Sequence, residues 1–475
     1  MYDIIIIGGG VIGTNILYEL SHYKLKTLLL EKENDVSCGA SRANSGIVHA
    51  GYDCKPGTLK AKFNALGNKM FPFITKKLGV PFQMTGSLVV TDRDGLSALQ
   101  KLEEHAKSNG VSVEIIDRKR ISALEPNIGD NIEYALYAPS AGIVSPYKLT
   151  IAFADFAALN GAEIKLSSKV DKISYSKSEG AYSVFCGDRE YKAKAVINSA
   201  GTHSMEINKM AGAEIYPTEF RRGEYYVLDQ TERNKVNTVI FPLPDENGKG
   251  ILIAPSADGN VLLGPTSTVT ENPDDNDVTY LGLDMVKKGI SRTFKAVDFR
   301  KVIRVFAGLR SVSGDDFIIK RSQVLPNYIM LLGICSPGLS SSPAIAEYVR
   351  DMVLNIIPAG TKEVKPLPKQ KKFIELTKDE LNEMIKTDPR WGRLVCRCEK
   401  VSEAEVINAI HSPLPATSVD AVKRRTRAGM GRCQGGFCAP RVMEILSREL
   451  GIPVTKVNYK GDGSYVAIGG IKTKD

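Results

Sequence analysis

The chain has 475 residues, is 43% hydrophobic and 25% charged, and sets 63 basic residues against 54 acidic ones for a formal net charge of +9. That length suggests about three domains. Charges so evenly mixed, with no nucleic-acid-binding signature, exclude a dedicated RNA or DNA binder and leave attraction to an anionic substrate or an acidic redox partner. No apolar run reaches the roughly 18 residues of a transmembrane segment. The first strand begins at once, with no basic, cleavable leader, so the expected compartment is the cytoplasm.

Ile4–Ile7 read as a short buried strand, followed by a turn with Gly8, Gly10 and Gly13 in G-x-G-x-x-G spacing and a helix from Thr14 to Leu20. A second strand, 26–31, ends in Glu31. Strand, glycine turn, helix, strand and terminal acid together predict a dinucleotide site. Gly8 makes the turn, Gly10 admits a pyrophosphate, Gly13 lets helix and strand pack closely, and Glu31 accepts from a ribose diol. The helix N-terminus offers N–H groups and its positive dipole end to the phosphates. NAD and FAD both remain open on these residues.

The small-residue stretch from Ser37 to Tyr52 reads as a loop passing close to a flat ligand. Beyond it the pattern predicts a helix over 58–78, a strand over 86–91 and a helix through Leu96, Leu99, Leu102 and Ala106. A loop over 137–146 and a helix over 147–160 follow. Residues 163–166 and 169–174 read as a strand pair, leading to a hairpin through Ser176–Gly180. The strand 194–201 closes on Ala200-Gly201, where a cofactor can approach the backbone. From Glu214 to Arg310 the strands 222–228, 250–255 and 261–264, with a turn at Asp245–Gly248, predict a separate antiparallel sheet. The dinucleotide fold resumes with a strand over 327–333 and a helix from Ser342, with Pro343 at its first position. Residues 357–372 read as an extended linker.

Four of the eight cysteines, Cys396, Cys398, Cys433 and Cys438, cluster beyond that linker, which points to metal ligation. The spacing leaves zinc and an iron–sulfur cluster open, although C-x-C departs from the usual zinc pairs. Ser402-x-x-Glu405 is a capping box opening a helix, and Thr417–Arg425 begins another.

Several of these segments carry a family resemblance. The fingerprint, Ser41–Tyr52, Arg222–Tyr226, Phe306–Arg310 and Gly333–Ala346 together resemble FAD-dependent oxidoreductases of the D-amino-acid oxidase type. That family includes glycerol-3-phosphate dehydrogenases, glycine and sarcosine oxidases and L-2-hydroxyglutarate oxidases. The resemblance covers roughly residues 1–355 and implies an α/β fold, a Rossmann-like FAD-binding domain interleaved with an antiparallel substrate sheet. The cysteine segment is similar to the bacterioferritin-associated-ferredoxin module, which implies a small helical domain holding a [2Fe–2S] cluster. The expected layout is a FAD-binding domain of 1–75, 145–210 and 305–356, a substrate-binding domain of 76–144 and 211–304, a linker of 357–389, a [2Fe–2S] domain of 390–460 and a tail of 461–475. The expected FAD contacts are Gly8, Gly10, Gly13, Glu31, Lys32, Ser41, Asn44, Ser45, Val170, Ala200, Gly201, Gly333, Gly338, Leu339 and Ser340.

Oxidising a carbinol or amine carbon requires a base for the O–H or N–H proton and a cation for the substrate's anion. His49, at the end of the small-residue loop, is the candidate base, because an imidazole ordinarily titrates near neutral pH. Arg310 matches the anion-binding arginine of relatives and suits carboxylate or phosphate. Arg222, Tyr225, Tyr226, Lys55, Lys60 and Lys62 are weaker candidates whose bland alternatives are packing or a solvated face. Arg424, Arg425, Arg427 and Arg432 either offset cluster charge or form a solvated basic face. A flavin joined to a cluster resembles the iron–sulfur-bearing catalytic subunit of anaerobic-type glycerol-3-phosphate dehydrogenases and implies a protein redox partner. Glycerol 3-phosphate is the first expectation for the substrate, a 2-hydroxy acid the second and an amino acid the third. A non-catalytic electron-transfer subunit is the alternative class.

Overall fold

The computed structural model describes residues 1–243 and 250–469. The expected turn at Asp245–Gly248 and the end of the tail, 470–475, lie outside the described residues. Tyr2–Ile7 runs parallel to Thr27–Leu30 on one side and to Arg189–Asn198 on the other. Ile4 and Ile6 face one apolar cluster, and Ile5 and Ile7 the opposite one. A parallel strand covered on both faces is apolar at every position, which is why four isoleucines in a row suit it. The fingerprint helix Val11–Leu20 packs on Pro146–Leu159 and on Gly338–Ile356. Tyr328–Leu332 returns in parallel beside Arg189–Asn198, so distant segments complete one eight-stranded sheet.

A nine-stranded sheet forms the second layer system, and its longest pairing is between Glu219–Leu228 and Val302–Val312. It departs from the expected all-antiparallel sheet in one place, where Val239–Pro242 runs parallel to Ser87–Thr91. The long connection between those two strands carries no hairpin constraint on direction. Residues 305–312, expected in the FAD-binding piece, therefore pair within this sheet.

Local signals misled in four further places. The loop expected at 137–146 contains strand residues, since Tyr134–Ala138 pairs with Ser87–Thr91 and Gly142–Val144 with Ile47–Val48. The segments 163–166 and 169–174 are not partners. Glu163–Lys165 extends the parallel sheet beside Thr27–Leu30, and Lys172–Ser176 pairs with Ala181–Cys186. The last core helix begins at Gly338 rather than Ser342, placing Pro343 inside it. Proline there removes one backbone donor near the helix start, and the earlier start carries the N-terminus toward the glycine turn. Within 357–389, Lys378–Thr387 is a helix opened by a Thr377–Glu380 capping box.

The C-terminal module has its own core, with Val406, Ile410, Val422, Ile445 and Leu446 among its members. Glu403–Ile410 opens with the predicted capping box: Ser402 Oγ accepts from the Glu405 N–H at 3.3 Å, and the Glu405 carboxylate accepts from the Ser402 N–H at 2.8 Å. Ion pairs and hydrogen bonds fasten this module to both the FAD-binding and the substrate-sheet parts of the chain. Arg424 and Arg425 reach Asp35 at 2.6 and 2.8 Å, and Arg424 also pairs with Asp420. Arg427 pairs with Glu399 at 2.7 Å and donates to Asn260 at 2.9 Å, while Arg432 reaches Asp229 at 2.6 Å. Arg424, Arg425 and Arg427 are thus largely buried in the fastening rather than a solvated face, whereas Arg432 is exposed and its charge faces Cys398 as well as Asp229.

Burial pushes the Asp35 carboxyl up, but Arg425 and Arg424 together hold it below its ordinary value. A carboxyl lowered on folding stabilises fully above its unfolded value of about 4 and loses that contribution as pH falls through the folded value. The fastening is therefore expected to hold at neutral pH and weaken below about pH 4. Asp35→Ala leaves two guanidiniums buried without this partner, and removing one member of a buried pair costs about 3–5 kcal/mol. The module is expected to come free at lower urea concentration in the variant, read by proteolysis within 357–372; an unchanged midpoint would show that Asp35 is not the fastening.

Candidate active site

The glycine turn has the shape of a cradle. Gly8 sits at φ +106°, and a Cβ on it would lie 2.6 Å from the Ser199 carbonyl. A Cβ on Gly13 would lie 2.0 Å from the Gly8 carbonyl. Side chains are excluded at both positions, and the backbone can meet a pyrophosphate directly. The Gly10 Cβ direction meets only Ser41 Oγ, at 3.3 Å. Ser41 Oγ accepts from the Val11 N–H at 2.8 Å, tying the small-residue loop to the helix N-terminus. Glu31 accepts from the N–H groups of Gly9 at 2.6 Å and Glu33 at 2.9 Å. Burial raises its pKa, and those two donors pull it back.

The turn opens into a cavity of about 1240 Å³. Of the expected contacts, Gly8, Gly10, Glu31, Lys32, Ser41, Asn44, Ser45, Ala200, Gly201, Gly338 and Leu339 line it. Gly13, Val170, Gly333 and Ser340 do not. Gly13 is occupied by helix–strand packing, and Val170 is buried in the core behind the sheet. Gly333 makes a turn at φ +64° against Ser313. Ser340 Oγ accepts from the His49 N–H at 2.7 Å and donates to the Ile47 carbonyl at 3.3 Å, so it positions the loop from behind. Asn44 closes the same loop, donating to the Ala40 and Ser41 carbonyls and accepting from the Gly46 N–H.

His49 and Arg310 line this one cavity although they stand 261 positions apart in sequence (310 − 49). His49 Nε2 lies 3.5 Å from Ser336 Oγ, and its ring is 5.7 Å from that of Phe241. Arg310 Nη2 donates to the Thr266 carbonyl, and a Cβ on Gly223 would lie 2.7 Å from that nitrogen, so Gly223 makes room for the guanidinium. Arg310 stands directly opposite Arg221 across the paired strands, and Arg221 also lines the cavity.

Strand alternation settles the neighbours. Arg221 and Tyr225 face the cavity; Arg222 points away to Asp275 at 2.7 Å, and Tyr226 packs edge-on against Phe299. Period-2 counting from Tyr225 would have selected Arg221 rather than Arg222. Lys55, Lys60 and Lys62 do not line the cavity; Lys60 donates to the Asp315 carbonyl, and Lys62 lies over the rings of Phe63 and Tyr348. His203 does line it, with Lys32 Nζ 3.2 Å from its Nε2.

The four clustered cysteines come as two thiol pairs, Cys396 with Cys438 and Cys398 with Cys433. The N–H groups of Gly429 and Glu399 point at Cys396 sulfur, and those of Gly435 and Phe437 at Cys433 sulfur. A Cβ on Gly431 would lie 2.4 Å from Cys398 Cβ. Among the described residues no three His, Cys, Asp or Glu side chains gather as a single-ion shell. Two pairs of thiolates with N–H groups aimed at sulfur are the donor set that a two-iron cluster takes.

The family profile described as FAD dependent oxidoreductase matches residues 3–352. The chain belongs to that family. The profile of the BFD-like [2Fe-2S] binding domain matches 394–448, so the cofactors are FAD and a [2Fe–2S] cluster. A glycerol 3-phosphate dehydrogenase of Caloramator mitchellensis is 45% identical over 483 aligned positions, covering 100% of both chains. The L-2-hydroxyglutarate dehydrogenase of Caenorhabditis elegans is 29% identical, covering 74% of this chain and 93% of its own. Among solved structures, the L-alpha-glycerophosphate oxidase of Mycoplasma pneumoniae with FAD bound superposes with a TM-score of 0.73 at 30% identity. That match covers 78% of this chain and 99% of the oxidase. In this family frame the glycine cradle and Glu31 are the residues that fit FAD, and the two cysteine pairs are those that fit the cluster.

Proposed function

We propose that the protein oxidises glycerol 3-phosphate to dihydroxyacetone phosphate and passes the electrons through its [2Fe–2S] module to a protein acceptor. The observation that carries this reading is the cross-strand pair Arg221–Arg310. Like charges directly opposite one another on a sheet repel. Here Arg221 is matched by Glu219 at 2.5 Å, while among the described residues Arg310 makes no ion pair. Two guanidiniums on one cavity wall suit a phosphate, which carries more charge than a single carboxylate and accepts bidentate donors. The full-length relative named for glycerol 3-phosphate supports the same choice.

In this reading Arg310 and Arg221 hold the phosphate, and His49 takes the proton from the substrate hydroxyl as the carbinol C–H is broken. Ser340 fixes the His49 backbone from behind. The helix starting at Gly338 directs the positive end of its dipole at the cavity, where negative charge is stabilised. When bound, FAD supplies the two-electron acceptor for the hydride and the cluster carries electrons onward singly. Among the described residues no helix is long and apolar enough to cross a membrane. The cysteines are all unbridged, and such cysteines fit the reducing cytoplasm, the compartment we propose.

The test is anaerobic bleaching of the bound flavin by glycerol 3-phosphate, L-2-hydroxyglutarate and an amino acid in turn. Glycerol 3-phosphate is expected to bleach it within seconds and the others far more slowly. Faster bleaching by the hydroxy acid would replace the substrate, and bleaching by none would leave a non-catalytic electron-transfer subunit.

A further inference from the structure

We propose that the outward face of the [2Fe–2S] module is the docking surface for an acidic one-electron carrier protein. This rests on the reading that electrons leave through the cluster. The module's orientation is fixed from its inner side, where Arg424 and Arg425 are buried in ion pairs with Asp35 and Arg427 pairs with Asp258. The ligand loops meet the rest of the chain at Met430, Arg432 and Gln434, and part of them stays open to solvent. Cys398 is exposed, and Phe437, which directly precedes Cys438 and sends its N–H to Cys433 sulfur, is 88% exposed. Leu394, two residues before Cys396, is 43% exposed.

The exposed side chains of the same segments include the cations Arg393, Arg397, Lys400 and Arg441, of which Arg393 and Arg441 are matched by Glu403 at 3.6 Å. Among the described residues Arg397 and Lys400 make no ion pair. The acids of the same loops are turned inward or already engaged. Glu399 and Glu403 are buried, and Glu444 is taken by Arg441 at 2.8 Å. Protein interfaces combine an aromatic anchor with arginine and a polar rim. An exposed phenylalanine next in sequence to a redox ligand, with unpaired cations at Arg397 and Lys400 flanking another ligand, has that composition. The charge of the rim commits the occupant to an acidic surface, since complementary potentials steer encounter and fix orientation.

The electron count also fits a one-electron carrier. Each alcohol oxidised to a ketone releases two electrons and two protons. The electrons reduce two ferric haem carriers to the ferrous state, one each, and the protons pass to solvent.

The test uses the holoprotein with glycerol 3-phosphate and three acceptors: the acidic soluble domain of cytochrome b5, basic cytochrome c, and ferricenium, which is too small to need a docking face. The unmodified protein is expected to prefer cytochrome b5, with kcat/KM falling as salt rises. Arg397→Glu and, separately, Lys400→Glu are expected to lower kcat/KM for cytochrome b5 about 10-fold at low ionic strength. Ferricenium reduction and the visible cluster spectrum are expected to stay unchanged. Phe437→Ser is expected to raise KM for cytochrome b5 several-fold. A preference for cytochrome c, or cytochrome b5 rates within twofold in both charge-reversal variants, would overturn the surface. Unimpaired cytochrome b5 reduction by Cys433→Ser would instead overturn the reading that electrons leave through the cluster.

Discussion

His49→Gln is expected to slow anaerobic flavin reduction by glycerol 3-phosphate about 10²–10⁴-fold, the range for losing a positioned general base. Glutamine keeps a polar group at the site but cannot take up the proton at neutral pH. The phosphate contacts proposed at Arg221 and Arg310 lie elsewhere on the cavity wall, so the loss is expected in the rate of reduction and much less in substrate affinity. Stopped-flow absorbance reads the effect. A variant reduced within threefold of the normal rate would return His49 to a packing role beside Phe241.

The features legible in the sequence were those whose causes are local. Four isoleucines before a G-x-G-x-x-G turn specify a strand buried on both faces and a cradle, because no side chain is tolerated at Gly8 or Gly13. The spacing of Cys396, Cys398, Cys433 and Cys438 left zinc and a cluster open, and the module resemblance then chose the cluster. The Ser402 capping box marked its helix correctly. Thr377-x-x-Glu380 carries the same signal and opens a helix too, within the stretch that its lysines and prolines mark as a linker.

Other features have distant causes. Asp35 meets Arg424 across a sequence separation of 389 (424 − 35), so nothing near either residue announces that the basic stretch fastens two domains. The Arg221–Arg310 pair arises from the register of two strands far apart in the chain. The direction of Arg222 was accessible to alternation counting, but only once Tyr225 was known to face the cavity. Ser340 is a small residue at a helix start, and its place behind His49 follows from tertiary packing alone.

Cys433→Ser is expected to abolish electron delivery to a protein carrier while leaving the flavin reducible. Cys433 is one member of the pair with Cys398, and both Gly435 and Phe437 direct N–H groups at its sulfur. A serine hydroxyl is a poor substitute for a thiolate that must hold iron. The module is fastened through ion pairs with Asp35 and Asp258 in which Cys433 takes no part, so its attachment is expected to survive. The decisive measurement is a single anaerobic experiment on wild-type and Cys433→Ser protein mixed with glycerol 3-phosphate. Flavin bleaching and reduction of an added one-electron haem carrier are followed together. The expected result is bleaching at a similar rate in both proteins, with carrier reduction only in the wild type. Loss of both signals in the variant, or retention of both, would contradict an electron path that begins at the glycine cradle and leaves through the cysteines.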